Sequence, residues 1–471
     1  MQLKLLEANN EQLIDLENFL SKKENQNISE ETFFELAKDI NLSFSLEECS
    51  RLLSHHVCES LDSYTQQSQR YVKMGNGAYI IPEEIKQLGK EIETEYTQLN
   101  NEVFEFYNKM TKMKEGFSGR KAQESDYENG IKIEDGRYLL PLNTTTNVFH
   151  TMNFSNIVRL YKTMKRVKVA ESEEFLRELA SQIAKCAGKK TKESKIIEKI
   201  CGFMEEGLAD EDKVLEKHKK EFEKITPKNN CVLINAYREP ILRTGLGALT
   251  STNEKTPSTI LEAWEKEGIQ IAKAKGVTER VTGYGHTSII EHARTTVGLM
   301  MSLTCYHQFE RHRLPSNVRE RFENIPIERE ILLPESVKRN EEMRKEFNDK
   351  VEKIKKFRTK LKEKGGAGEK AQCYLLINAD LLKVISSTNA RMDKEIMSER
   401  LCNNAQWEIR YLYEKKLSEL KKTTPSIYDK IGPGCTRGAC PEGMLTCGKI
   451  IEVRKKYNAF QEEKKTIKRW F

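Results

Sequence analysis

Apolar residues recur at helical spacing in LIDLENFL (13–20) and FFELAKDI (33–40), with acidic residues between them, so residues 1–48 read as helices with a charged outer face. From Cys49 the run CSRLLSHHVC is denser in apolar positions and is followed by a polar stretch, SYTQQSQRY (63–71). Residues 83–130 are charged and helical in pattern, with a turn signal near EGFSGRKAQ (115–123). Residues 188–229 are rich in lysine and glutamate, with little apolar periodicity beyond IIEKICGFM (196–204), and predict a helical linker with a solvated face. CVLINAY (231–237) predicts a short strand, and a helix is expected from about Ser258. The apolar segment from Thr295 to Tyr306 is too short to span a membrane and reads as a buried strand or helix. A second charged helical arm begins after Asn324 and stops at Gly365-Gly366.

Composition narrows the class. With 38% apolar and 32% charged residues over 471 positions, two globular domains are expected. Lysine and arginine outnumber aspartate and glutamate by only 79 to 72, and the charge is diffuse, which argues against nucleic acid as a partner. No run reaches the roughly 18 apolar residues of a membrane span. Eleven cysteines without secretory features predict thiols or metal ligands in a reducing cytoplasm.

The chemistry concentrates between Gly285 and Asn324. His286, Ser288, Glu291 and His292 fall close together on a short turn, and after the apolar segment Gln308, Arg311, His312 and Arg313 supply planar donors suited to phosphate, ribose and ring carbonyls. GHTSIIEH (285–292) followed by QFERHRLPS (308–316) resembles the signature of the flavin-dependent thymidylate synthases. Beyond Ser316 that signature continues to a second serine and a final arginine. Here the residues from Val318 to Glu323 stand instead, and the missing portion resembles residues 63–71, with Ser68 and Arg70 in the matching places. Cys58, Glu59 and Ser60 replace the arginine-histidine-arginine of that earlier copy.

The resemblance recurs in pairs. DGRYLLPLNTTTNVFHTMNF (135–154) is similar to the family's arginine-leucine-proline segment, with Arg137 in place, but Ser155 and Met164 stand where two later arginines are expected. The second copy keeps those arginines as Arg391 and Arg400, with Asn389 and AQWEIR (405–410), and has Gln372 and Cys373 where Arg137 would fall. The chain thus resembles a tandem duplication: residues 1–190 a degenerate copy, 191–229 a linker, 230–455 a second copy and 456–471 a basic tail. The resemblance implies an α+β fold, each copy a small, mostly antiparallel sheet with packed helices and long helical arms.

It also implies conversion of dUMP to dTMP with methylenetetrahydrofolate as carbon donor and FAD, reduced by NAD(P)H, as hydride carrier. One composite site would draw Gln66, Ser68, Arg70 and Arg137 from the first copy for the nucleotide phosphate. Gln308, Arg311 and the catalytic Arg400 from the second would meet the uracil. His286, Ser288, Glu291, Arg311, His312, Arg313, Asn389 and Arg391 would hold FAD. The family's active sites lie between subunits, so a homodimer imitating its tetramer is expected. The alternative is a catalytically inactive paralogue that binds flavin or nucleotide. Separately, Cys435, Cys440 and Cys447, spaced C-x4-C-x6-C, with Cys402 as a fourth, are candidate ligands of a structural zinc.

Overall fold

In the computed structural model, residues 1–59, 62–115, 122–204, 211–226, 229–236, 239–250 and 253–458 are described. Among them are eight strands in two antiparallel four-stranded sheets. The first contains β1 (Gln2–Ala8), β2 (Asn41–Ser50), β3 (Ser63–Gln66) and β4 (Thr145–Asn153), in the order β1-β2-β4-β3. The second contains β5 (Cys231–Ala236), β6 (Arg294–Ser302), β7 (Ser316–Arg319) and β8 (Leu381–Asn389), in the order β5-β6-β8-β7. One strand order occurring twice along a chain is the topological mark of an internal repeat.

The repeat extends to the helix starts. Ser50 ends β2 and its hydroxyl accepts from the Leu53 amide at 2.9 Å, opening the helix Arg51–Cys58. Ser302 ends β6 and accepts from the Cys305 amide at 3.1 Å, opening the helix Leu303–Phe309. Asn153 and Asn389 end β4 and β8 and cap the next helical turns in the same way, accepting from the Ser155 amide at 3.1 Å and the Met392 amide at 2.9 Å. Side-chain oxygens at these positions satisfy amides that the first helical turn leaves without partners. Between the third and fourth strand of each repeat lies a long helix, Lys90–Met110 in one and Glu341–Glu363 in the other.

The expectation of helices throughout residues 1–48 is corrected here. Helices Asn10–Ser21 and Glu30–Leu36 are present, but β1 and most of β2 occupy the ends of that stretch. In β2, Leu42, Phe44 and Leu46 are buried while Ser43 and Ser45 face the other side, the period of two that a half-buried strand requires. Burying each of the three contributes roughly 1.5–3 kcal/mol. They join Phe33, Phe154, Phe175 and Leu179 in one core, to which the helix Lys195–Phe203 adds Ile196, Ile197 and Ile200. The turn expected near residues 115–123 falls largely on positions outside the described residues, as do Ser60 and most of the basic tail.

The chain divides into two compact units. One comprises Met1–Ala209, Ser302–Glu310 and Arg321–Leu381, so the first repeat takes two segments of the second into its own body. Within it the two long helices pair: Lys109 meets Glu342 and Glu346 at 3.1 and 2.8 Å, and Glu102 meets Lys350 and Lys353 at 3.1 and 3.0 Å. Leu142 and Asn143 donate their amides to the carbonyls of Leu376 and Tyr374, both at 2.8 Å.

The other unit, Asp210–Met301, Arg311–Glu320 and Leu382–Phe471, carries the second sheet. Its interior holds an ion pair between Lys416 and Asp393 at 2.8 Å, both fully buried, with Thr388 and Tyr428 donating to the carboxylate at 3.1 Å each. Removing one partner leaves the other charge buried alone, which costs about 3–5 kcal/mol. Asp393→Ala is therefore expected to lower stability by that amount in denaturant titrations, and Lys416→Met added to it should recover most of the loss.

Candidate active-site residues and the family

Three groups of the expected residues come together, each within one unit. The first is built around Arg137. Gly136 and Arg137 link the short helix Ile133–Gly136 to a 3-10 turn, and the Arg137 Nε donates to the Glu134 carbonyl at 3.1 Å. The Glu134 carboxylate lies 2.7 Å from Arg70. Arg137 is buried, its Nη2 has no hydrogen-bond partner among the described residues, and burial pulls its pKa down, Glu134 opposing and Arg70 adding to the fall. Sequence reading missed a third guanidinium. Arg51, the first residue of its helix and 3% exposed, is pushed down to about 10 by burial and then by Arg137. Its Nε also lacks a partner among the described residues. Buried cations of one sign gathered in this way are costly unless an anion joins them.

The polar lining continues around these arginines. Gln66 donates to Ser54 at 2.6 Å and Asn378 donates to Gln69 at 3.1 Å, all four buried. Ser68 caps its own loop, accepting from the Arg70 amide at 3.2 Å. Gln308, on the helix Leu303–Phe309 of the same unit, is 9% exposed with its Nε2 unpartnered among the described residues. The equivalent of Arg137 in the second repeat is different in kind. Gln372 opens the matching 3-10 turn, and its Oε1 accepts from Arg358 Nε and Nη2 at 3.2 and 3.0 Å. That position is saturated from within the fold.

The second group pairs Arg400 with His312. Arg400, the last residue of the helix Ala390–Arg400, donates from Nε to His312 Nε2 at 2.5 Å. Burial, and after it Arg400, Lys416, Arg311 and Arg313, push His312 down to about 3, so the ring is neutral and can accept. The sign is testable. A folded-state pKa below the unfolded 6.5 leaves full stability above that pH and loses it as pH falls toward 3, because only the unfolded chain takes up the proton. His312→Gln is expected to remove about 1.4 kcal/mol per pH unit from that acid dependence, read from denaturant titrations at about pH 7 and pH 5.

The third group joins Glu291 to Arg391, Oε1 to Nη1 at 2.5 Å. Glu291 and Ser288 lie on the 3-10 turn Ser288–His292, entered through Gly285, whose φ of 87° a residue with a side chain resists. His286, Ser288 and Arg311 are exposed, Arg313 is half-buried, and Asn389 is buried at its cap. Gly247, another residue that the sequence did not single out, sits under His292: a Cβ there would lie 2.6 Å from the imidazole ring.

The four candidate zinc ligands share one unit. Burial raises the Cys435 thiol, and Cys440, Cys402 and Cys447 raise it further. Asn403 donates to Cys447 Sγ at 3.7 Å, which ties the two loops, and the Asn404 amide donates to nearby Cys402 Sγ at 3.5 Å, but no three of the four thiols lie within 4.8 Å of one another.

A family model described as thymidylate synthase complementing protein matches residues 10–191 and again residues 242–426. The chain belongs to that family. It contains two copies of the family domain, and each match takes in the three later strands of one sheet. The chain is similar to a flavin-dependent thymidylate synthase of Geobacter sulfurreducens, 32% identical over 194 residues, covering 40% of this chain and 83% of the relative. A protein of the same name from Thermococcus onnurineus is 33% identical over 230 residues, covering 45% of this chain and 89% of the relative. Another from Clostridium tetani is 33% identical over 193 residues, 37% of this chain and 77% of the relative. Among the described residues no helix is long and apolar enough to cross a membrane.

Proposed function

We propose that this chain is a flavin-dependent thymidylate synthase, methylating dUMP with methylenetetrahydrofolate as carbon donor and NAD(P)H as reductant. One site is made from residues of both repeats, and the working form is a homodimer. The supporting observation is the contrast between Arg137 and Gln372. The first repeat keeps a buried guanidinium with an unpartnered Nη2 among the described residues, beside Arg70 and Arg51, whereas the second closes the same position with its own Arg358. A dianionic phosphate matches the first arrangement through charge-assisted hydrogen bonds and has no counterpart in the second.

Arg400, oriented by neutral His312, faces the uracil and stabilises negative charge as it develops on the ring. His286, Ser288, Glu291, Arg311, His312, Arg313, Asn389 and Arg391 hold FAD, with Arg391 aligned by Glu291. Bound there, FAD supplies the hydride chemistry, and the protein supplies placement and charge. Gln66 and Ser68 shape the phosphate loop, and Gln308 offers its Nε2 to the base. Cys402, Cys435, Cys440 and Cys447 are the candidate ligands of a structural zinc at the C-terminal loop, which would have to draw them together, since no three of their thiols lie within 4.8 Å of one another.

The test is tritium release from C5-labelled dUMP, with FAD, NADPH and methylenetetrahydrofolate supplied. Release that needs both flavin and folate is expected. Flavin-loaded, folded protein that binds dUMP without release would instead establish the inactive paralogue, a reading favoured by one observation, the Glu134 carboxylate already seated on Arg70.

A further inference from the structure

We propose that His55, His307 and Glu310 form a structural divalent-metal site, with zinc as its occupant, separate from both the nucleotide residues and the C-terminal cysteines. The proposal goes beyond the synthase reading and does not depend on it. Among the described residues this is the one group of three or more histidine, cysteine, aspartate or glutamate side chains whose ligand atoms all lie within 4.8 Å of one another. All three are buried, at 0%, 6% and 7% exposure.

The site arises from the repeat. His55 and His307 are each the fifth residue after the serine that caps their helix, Ser50 and Ser302, so they are one position of the family domain met twice. In the unit that holds both helices their rings stand edge to face with centroids 4.8 Å apart. Three residues beyond His307, one helical turn on, Glu310 turns its carboxylate to both: 2.6 Å to His307 Nδ1 and 3.6 Å to His55 Nδ1. Cys58, three residues beyond His55, lies outside the 4.8 Å group. Phe322 packs edge-on against His55 at 5.6 Å and Tyr306 stacks on it at 6.2 Å, so the group is walled by aromatic rings.

Two imidazoles and a carboxylate are three of the four donors a tetrahedral zinc takes, and the fourth position falls to water. Ligands at about 2.0–2.1 Å from a tetrahedral ion stand about 3.3 Å apart, so the observed separations differ from that by on the order of 1 Å. An ion there would join the helix after β2 to the helix after β6, one from each repeat. The competing use of Glu310 is as counter-charge to Arg51, which lies within its electrostatic reach. On that account the full complement of charges is satisfied without any metal, and the protein takes up none at this place.

The experiment removes the thiol contribution first. A Cys435→Ser, Cys440→Ser, Cys447→Ser chain, purified without chelator, is expected to retain one molar equivalent of zinc by plasma mass spectrometry. Chelation should remove it, and zinc returned should restore both the equivalent and the original Tm. His55→Gln with His307→Gln in this background should lose the equivalent. X-ray absorption of the triple-serine protein needs no further variant and should give nitrogen and oxygen scatterers without sulfur. The proposal is overturned if this background, loaded with zinc, iron, manganese or cobalt, holds no metal and its Tm does not move. A full equivalent surviving in the double histidine variant, or sulfur in the shell, overturns it equally.

Discussion

Arg400→Lys is expected to lower turnover by about 10²–10³-fold while leaving dUMP affinity within a few-fold of the parent. The magnitude is that of removing one preorganised donor from a site where charge develops. A lysine cannot replace the arginine, because the Nε that donates to His312 and the two Nη groups belong to one rigid plane. His312 must be neutral to accept that bond, and pushed down to about 3 it stays neutral across any working pH. The substitution therefore removes both the charge fork and the bond that orients it. Flavin content should hold, since Arg391 and Glu291 form a separate pair. Single-turnover tritium release measured beside dUMP calorimetry separates the two parameters; equal losses in both would place Arg400 in binding rather than in the chemical step.

The duplication was legible because motifs carry residue identity, and the two copies kept different halves of one motif. GHTSIIEH and QFERHR lie in the second copy, SYTQQSQRY and Arg137 in the first. β1 and β2 were not legible as strands. LKLLEA places adjacent leucines between charges, which fits a helical face as well as a strand, and only pairing with β4 settles β2. Partnerships across the fold were hidden altogether. Nothing in SRLLSHHVC says that Arg51 will sit near Arg137, or that His55 will meet His307, because those contacts join segments 86 and 252 residues apart along the sequence. Gln372 could be read as a departure from the family pattern, yet its engagement by Arg358 depends on how the long helix packs. Glu134 had a weak local signal, an acidic residue three before Arg137, where side chains on a helical turn share a face.

Glu134 also gives the phosphate assignment its sharpest test, because two substitutions around one guanidinium should move binding in opposite directions. Arg70→Ala removes a charged donor from the phosphate. Hydrogen bonds to charged groups are worth about 1.5–3 kcal/mol, so the dUMP Kd should rise by about 10–150-fold with kcat little changed. Glu134→Gln keeps the shape and removes the carboxylate that lies 2.7 Å from Arg70, a negative charge that any incoming dianion must displace or oppose. Its dUMP Kd should fall, and the fall should shrink as salt screens the charges. Deoxyuridine, which has the same base and sugar but no phosphate, should bind both variants as it binds the parent. From the protein's side, the charges facing Arg51, Arg70 and Arg137 include the carboxylates of Glu134, Asp135 and Glu310, and Glu134→Gln takes away the one that lies against Arg70. The variant should therefore be less stable when empty and gain more Tm than the parent on adding dUMP. A Glu134→Gln chain that binds dUMP more weakly than the parent, with deoxyuridine binding unchanged, would mean that the carboxylate orients Arg70 for the phosphate rather than competing with it.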